Sequence, residues 1–343
     1  MSIYSDSTLE ALTSEETRVS GRSLAESLYD ENLIVLLTGE LGAGKTTFAQ
    51  GFAEGLGVKD RVQSPTYALE NRYERFTHID LYRLSTKQAK QFLDHSNDVH
   101  GIKLIEWAER IDSSSIGPHI HVHIDDQRDK RIIRCDFLDH PVPSEGEIDA
   151  WIQDVRLPVH IQKHISQVTA VADKLMQLLA ESSPILMRRQ ALHAAARTHD
   201  LLRFVDFKTY EPDGDFNPSE HEKEIWTDLR NRYGTPHEEA AKKFLAERGY
   251  SVIGNIVSTH SGIQLAGTPL AETIEQKLLT YADKRVLFDR IVTLDERYAD
   301  FIKRYGKGVE NELHKKWFSI IKEIEREYFP DGSPDVTASE TVD

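Results

Sequence analysis

The sequence predicts two domains of different class, an α/β domain followed by an all-α domain, and three observations carry this. The 343 residues exceed the roughly 100 to 200 of a usual single domain, so two cores are expected. Up to about residue 137, short β-rich runs alternate with helical stretches, the signature of a parallel or mixed sheet. From His160 onward strand signals almost vanish and apolar residues recur at helical spacing.

In chain order, "LIVLLTG" (33–39) reads as a buried strand and "KTTFAQGFAEGLG" (45–57) as the helix that follows, ending on Gly57. Further strands are expected at "RVQSPTYAL" (61–69), "NRYERFTHIDLYRL" (71–84), "GIKLIEWAE" (101–109), "HIHVHID" (119–125) and "RIIRCDF" (131–137). Between His140 and Pro158 the chain is rich in proline and acid with little periodicity, which marks a boundary. Beyond it, "IQKHISQVTAVADKLMQLLAES", "ILMRRQALHAAARTHDLLRFV", "PHEEAAKKFLAERG" and "LAETIEQKLLTYADKRVLFDRI" are expected as helices. The expected organisation is thus a first domain over 1–140, a linker over 141–157, a second domain over 158–330 and a disordered, acidic tail over 331–343.

The net charge of −15 is spread along the chain: 16 Lys+Arg against 24 Asp+Glu up to Glu145, and 26 against 33 after it. Neither half is a basic nucleic-acid arm, so any RNA contact needs a partner protein or a local basic patch. A free nucleotide carried with a metal ion remains an easy ligand. The single cysteine, Cys135, excludes an internal disulfide framework and reads as a packed core thiol. The start "MSIYSDSTLEAL" lacks a signal peptide's basic and apolar regions, and no apolar run approaches 18 residues, so a soluble cytoplasmic protein without membrane contact is expected.

Gly39, Gly44, Lys45 and Thr46 satisfy G-x-x-x-x-G-K-[ST] after a strand and at the start of a helix, which predicts a phosphate-binding loop of the P-loop NTPase fold. Backbone N–H groups of Gly39, Gly42, Ala43, Gly44, Lys45, Thr46 and Thr47 would wrap the phosphates, aided by the helix N-terminus. Lys45 would reach the terminal phosphates and Thr46 would offer its hydroxyl to Mg2+. No N-K-x-D sequence of the guanine-reading sort is present. The flanking strings "SPTY" (64–67), "HIDLYRL" (78–84) and "LIEWAERI" (104–111), taken with "GELGAGKTTF", resemble the TsaE family over roughly residues 10–137. That family is the small ATPase of the bacterial system that installs threonylcarbamoyladenosine on tRNA. The resemblance implies ATP and Mg2+, partners like TsaB and TsaD, and tRNA contact only through them. Residue by residue, it makes Thr66 the switch-like threonine, Asp80 the acid of the "HxDLYRL" string and Glu106 the acid of the "EW" string, with Trp107 beside the nucleotide. Thr66, Asp80 and Glu106 would then hold the ion, directly or through water, and orient the attacking water. "HIHVHI" sets His119, His121 and His123 on one face of a strand, read as the exposed face of an edge strand rather than a metal site.

In the helical half, His164, His199, Asp200, His237, His260 and Asp283 follow one another on elements that could converge. Six such ligands exceed the need of one ion, so a pair of divalent cations (Fe, Mn, Zn or Mg) roughly 3.5 to 4 Å apart is expected, with Asp200 as the bridge. Two cations clamp a phosphate and lower the pKa of a shared water. This order resembles the HD phosphohydrolase superfamily over about residues 155–305, closer to its two-metal members, including the YqeK-type diadenosine tetraphosphate hydrolases. The usual "HDIGK" is here "HDLLRF", so Arg203, Lys284 and Arg285 are the candidate phosphate contacts. His160 competes with His164 for the first ligand position, and the valine and alanine that follow at helical spacing favour His164. His193 and His221 lie outside the pattern.

The expected protein is a TsaE-type ATPase fused to an HD-type, metal-dependent hydrolase of a small nucleotide. Lys45, Asp80, Glu106 and Asp200 are the expected catalytic residues. Two alternatives stay open: a non-catalytic helical nucleotide sensor that regulates the ATPase, and a small-molecule kinase in place of the ATPase.

Overall fold

The computed structural model describes residues 6–96, 101–212, 216–261, 271–306 and 308–337. The chain divides into two compact units, one of residues 1–141 with 179–189, the other of 142–178 with 190–343.

The first unit is built on β1 (Ser7–Ala11), α1 (Ser14–Glu26), β2 (Ile34–Thr38), α2 (Lys45–Gly55), β3 (Glu70–Arg72), β4 (Phe76–Asp80), α3 (Thr86–Ser96), β5 (Ile102–Glu106), β6 (His119–Asp126) and β7 (Arg131–Phe137). The seven strands form one mixed sheet in the order β1-β7-β6-β2-β5-β4-β3. β2 pairs in parallel with β5 and β6, and β4 with β5, while β1, β3 and β7 pair antiparallel. Alternation splits the apolar residues of β2 between two faces. Val35 and Leu37 join Phe48, Ala49 and Phe52 of α2 in the larger core, whereas Leu36 packs with Ile79, Leu81, Ala89 and Ile105 in a smaller one. Cys135 lies wholly buried in the larger core, and burial pushes its thiol well above the usual range.

Three strand expectations need correction, the first being "NRYERFTHIDLYRL", which folds as the antiparallel pair β3 and β4 followed by a turn rather than as one strand. "RVQSPTYAL" carries no strand: Pro65 has no N–H to pair, and Leu69 turns with φ 67° before β3 begins at Glu70. The histidine-bearing β6 is no edge strand, since β2 and β7 flank it, and His119, His121 and His123 are buried or half-buried. β1 and α1, absent from the sequence expectations, extend the sheet and cover α2. Glycines bring the two helices together: a Cβ on Gly21 would sit 2.1 Å from Phe48 O, and one on Gly51 would sit 1.8 Å from Arg18 O.

Residues 179–189 complete this unit from far along the chain. Leu186 enters its core, and Arg188 makes a buried two-pronged ion pair with Asp139, Nη1 to Oδ1 and Nη2 to Oδ2, both at 2.6 Å.

The second unit is helical: α4 (Glu145–Asp154), α5 (Val159–Ser182), α6 (Arg189–Thr198), α7 (Glu220–Tyr233), α8 (His237–Glu247), α9 (Ser251–Val257) and α10 (Ile274–Lys284), then the short hairpin β8 (Val286–Leu287) with β9 (Arg290–Ile291), then α11 (Leu294–Tyr305) and α12 (Glu312–Tyr328). Ser144, Ser219, Thr273 and Thr293 start their helices with reciprocal capping boxes through Glu147, Glu222, Gln276 and Glu296. The expected linker 141–157 therefore contains a capped helix, whose Ile148 and Trp151 are buried. Of the expected tail, residues 338–343 lie outside the described residues, but Val336 is buried and Pro334 O accepts from Arg285. No helix among the described residues is long and apolar enough to cross a membrane.

Candidate functional site

In the first unit the loop between β2 and α2 takes the conformation its glycines allow. Gly39, Gly42 and Gly44 have φ of 138°, 88° and 107°, and a Cβ on Gly39 would meet Ile124 O at 2.2 Å. Ala43 is buried, and its carbonyl accepts from Arg131 Nε at 2.9 Å. Lys45 is tied back on the loop, donating to Gly39 O (2.7 Å) and Glu40 O (2.8 Å) and lying 3.8 Å from the centre of the Trp107 ring. Burial lowers its pKa against the opposing pull of Glu106. Thr46 and Thr47 follow in the first turn of α2.

Parallel pairing sets the two acids side by side: Asp80 ends β4 and Glu106 ends β5 in the same register. Thr46 Oγ1 donates to Glu106 at 3.2 and 3.4 Å. Thr66 donates to Asp80 Oδ2 at 2.9 Å, Ser64 donates to the same oxygen, and Tyr82 N donates to Oδ1. Trp107 holds a left-handed conformation (φ 61°) that turns its ring toward Lys45 and Tyr82. A carboxylate pair, a helix N-terminus and a lysine thus converge on one loop, the donor set that a magnesium–phosphate complex needs.

Two neighbours, one buried and one half-buried, were not singled out from the sequence. His78 Nε2 lies 2.9 Å from Glu106 Oε1, with both side chains buried, and Ser64 supports Asp80. The signal for His78 was available, since residues two apart on a strand share a face and Asp80 is two beyond it. His121 Nε2 and His123 Nδ1 each lie 2.9 Å from Thr38 Oγ1, beside a cavity of about 510 Å³ that Gly39, Glu40 and Trp107 also line.

In the second unit all six sequence candidates come together. His164 projects from α5, His199 and Asp200 from the end of α6, His237 from the first turn of α8, His260 from just beyond α9, and Asp283 from α10. One group has Asp200 Oδ2 3.9 Å from both His164 Nε2 and His199 Nε2, and Asp283 Oδ1 3.0 and 3.9 Å from the same two nitrogens. The other has Asp200 Oδ1 3.0 Å from His237 Nε2 and 3.5 Å from His260 Nε2, which are 3.3 Å apart. Ligands about 2.0–2.1 Å from one ion lie about 2.9 Å apart at adjacent octahedral corners and about 3.4 Å apart on a tetrahedron. The second group fits these edges and the first is somewhat wider.

Tautomers support the same reading. A carbonyl oxygen can only accept, so His164, His199 and His260 each donate Nδ1–H, to Phe288 O (2.7 Å), Ala196 O (2.8 Å) and Val257 O (2.7 Å). Their Nε2 atoms then face inward; burial works against a charge on His164, but its contact with Asp283 raises it above the usual imidazole value. His199 Nε2 is buried with no hydrogen-bond partner, a costly arrangement unless something accepts its lone pair. Burial drives the His199 imidazole down to about 4, which keeps it neutral. Burial would raise the Asp200 and Asp283 carboxyls, but neighbouring histidines, and Lys284 for Asp283, hold both well below the usual range.

The cluster floors a cavity of about 510 Å³ walled by Lys163, Arg203, Lys284, Arg297 and Arg304 and by Phe207, Phe288, Phe301 and Trp317. The same wall carries Asp200, Glu238, Asp283 and Asp289, and Arg203, Lys284, Arg297 and Arg304 pair with Asp206, Asp283 and Asp300, so the cavity presents both signs of charge. Arg285 is not part of that wall and donates to Val292 O and Pro334 O. His160 lines the cavity but stacks with Phe207, while His193 pairs with Asp173 and Glu145, and His221 is exposed.

A family model described as "Threonylcarbamoyl adenosine biosynthesis protein TsaE" matches residues 12–133. The chain is 38% identical to a tRNA threonylcarbamoyladenosine biosynthesis protein TsaE of Synechocystis over 100 residues, 26% of this chain and 63% of that protein. Against proteins of the same description it is 34% identical in Bacillus subtilis, over 34% of this chain and 77% of that one, and 36% identical in Aquifex aeolicus, over 35% and 90%.

Proposed function

The chain belongs to the TsaE family, and from that premise we propose that its first unit is the ATP-hydrolysing component of tRNA threonylcarbamoyladenosine formation, while its second unit is a metal-dependent phosphohydrolase of a small nucleotide. The first part is carried by Thr46, Glu106 and Asp80, which gather at the end of the phosphate loop. Lys45 leaves its carbonyl partners to reach the terminal phosphates, and the amides of residues 42–47 hold the others. Thr46, with Glu106 and the Thr66–Asp80 pair, supplies the oxygens for magnesium, which offsets phosphate charge when bound. Glu106, held by His78, orients the attacking water. TsaB-like and TsaD-like proteins are the partners of this unit, and tRNA is met only through them.

The second part is carried by the four imidazole Nε2 atoms that face the Asp200 carboxylate. His164, His199, Asp283 and Asp200 Oδ2 would hold one ion, and Asp200 Oδ1, His237 and His260 the other. Four nitrogens among six ligands favour Fe or Zn over Mg. Bound there, such a pair neutralises phosphate charge and lowers the pKa of water. Arg203 and Lys284 bind the phosphate and the aromatic wall takes the base.

A hydrolysis screen over a nucleotide panel, with metal content measured in parallel, tests both parts. Lys45→Ala should cut ATP hydrolysis on the order of 10²-fold and leave the second activity intact. Asp200→Ala should do the reverse and release bound metal. Unchanged metal content and unchanged phosphatase activity in Asp200→Ala would sink the second part, and ATP hydrolysis untouched by Lys45→Ala the first.

A further inference from the structure

One of the four histidines differs from the rest. His199 and His260 give Nδ1–H to the carbonyl three residues before them, Ala196 and Val257, and His164 to Phe288 O. His237 opens α8, so no preceding helical turn presents a carbonyl to it. Its Nδ1 meets charged side chains instead: Asp206 Oδ2 at 2.6 Å, Arg203 Nη1 at 2.8 Å and Glu238 Oε2 at 3.2 Å, the shortest contact being the carboxylate of Asp206. Glu238 is buried, and its Oε2 has no hydrogen-bond partner. Asp206 closes the short 3-10 turn Arg203–Asp206 that follows the His199–Asp200 pair, with Arg203 Nη1 3.3 Å from its Oδ2. The segment that supplies the bridging ligand therefore also supplies the carboxylate behind His237.

We propose that Asp206, assisted by Glu238, is the positioning residue for the ion bound by Asp200, His237 and His260; this rests on the metal reading of the second unit. Asp206 accepts Nδ1–H, fixes the ring so that Nε2 faces Asp200 Oδ1 and His260, and makes that nitrogen a stronger donor. The two outer carboxylates also offset the charge of a divalent ion that shares its one inner carboxylate with a neighbour.

The test is a titration of metal-depleted full-length protein with Mn2+ alone, followed by calorimetry and by the magnetic resonance signal of a coupled ion pair. Wild type should bind two ions and show the pair signal. Asp206→Ala should keep one ion at wild-type affinity, bind the second roughly 10- to 100-fold more weakly and lose the pair signal. Asp206→Asn keeps an acceptor for Nδ1–H without the charge and should fall between them, with unchanged circular dichroism. Wild-type constants for both ions in Asp206→Ala, or equal weakening of both in the folded Asn variant, overturns the inference alone. A wild type that takes up no Mn2+ overturns the metal reading and this inference with it.

Discussion

Tyr281 shows how a single buried group ties stability to pH. It is fully buried on α10, its hydroxyl donates to Glu325 Oε2 at 2.6 Å, and Arg285 Nη1 donates to it at 3.0 Å. Burial first, then the bond to Glu325, pushes the phenol up to about 12. A raised folded value means the folded chain holds this proton more tightly than the unfolded one, whose phenol titrates near about 10. The stabilisation is therefore complete below about pH 10 and drains away as pH rises from there toward 12, on the order of 2–3 kcal/mol in all. Denaturant unfolding between pH 9 and 11 should show wild type losing stability more steeply than Tyr281→Phe; parallel slopes would refute this. Nothing in the string "LLTYADKRV" announces that partnership, because Glu325 lies 44 residues away. The six metal-site candidates were legible for the opposite reason: imidazole and carboxylate in that order carry their chemistry in the letters. Asp206 was not, since its role depends on where a short turn meets the start of another helix.

At the scale of elements, the α1–α2 contact fixes the helix that carries the phosphate loop. Gly21, Gly51 and Gly55 let backbone meet backbone, with hypothetical Cβ contacts of 2.1, 1.8 and 2.6 Å to main-chain oxygens. Main chain cannot swing aside as a lysine tip can, so Gly51→Ala should destabilise the first unit by at least about 1–3 kcal/mol. Gly146, in the first turn of α4 with nothing within 4 Å of its Cβ position, is the contrast. There alanine should stabilise by about 0.4–1 kcal/mol through a less free unfolded chain. Thermal melts of the two variants should move in opposite directions. The period of the apolar residues made β2, α2, β4, β5 and most helices of the second unit readable. It misplaced "RVQSPTYAL", whose β-branched letters are overruled by Pro65, and it put β6 at an edge because position within a sheet is a non-local property.

For the whole molecule, the change from alternating strands and helices to helices alone was written in the sequence, and the division after Pro141 follows it. The return of residues 179–189 to the first unit was not, since it rests on Leu186 entering a distant core and on Arg188 finding Asp139. Removing one partner of a buried pair leaves a charge without compensation, which costs about 3–5 kcal/mol. Arg188→Ala in the full chain should lower the first unit's stability by that order, and a chain ending at residue 141 should lose at least as much. Unfolding followed through Trp107, the one tryptophan before residue 142, reads the fragment directly; a fragment as stable as the full chain would refute it.

That return gives the polypeptide the character of a stitch. A protease that cuts once between residues 142 and 178 separates the sequence into two pieces but frees neither, because the later piece still carries Leu179–Arg189 inside the body of the earlier one. Parting the two candidate catalytic bodies takes three cuts, one after residue 141 and one on each side of that segment. An expression boundary drawn from the family match, which ends at residue 133, discards a strand's end, an arginine clamp and a core leucine at one stroke.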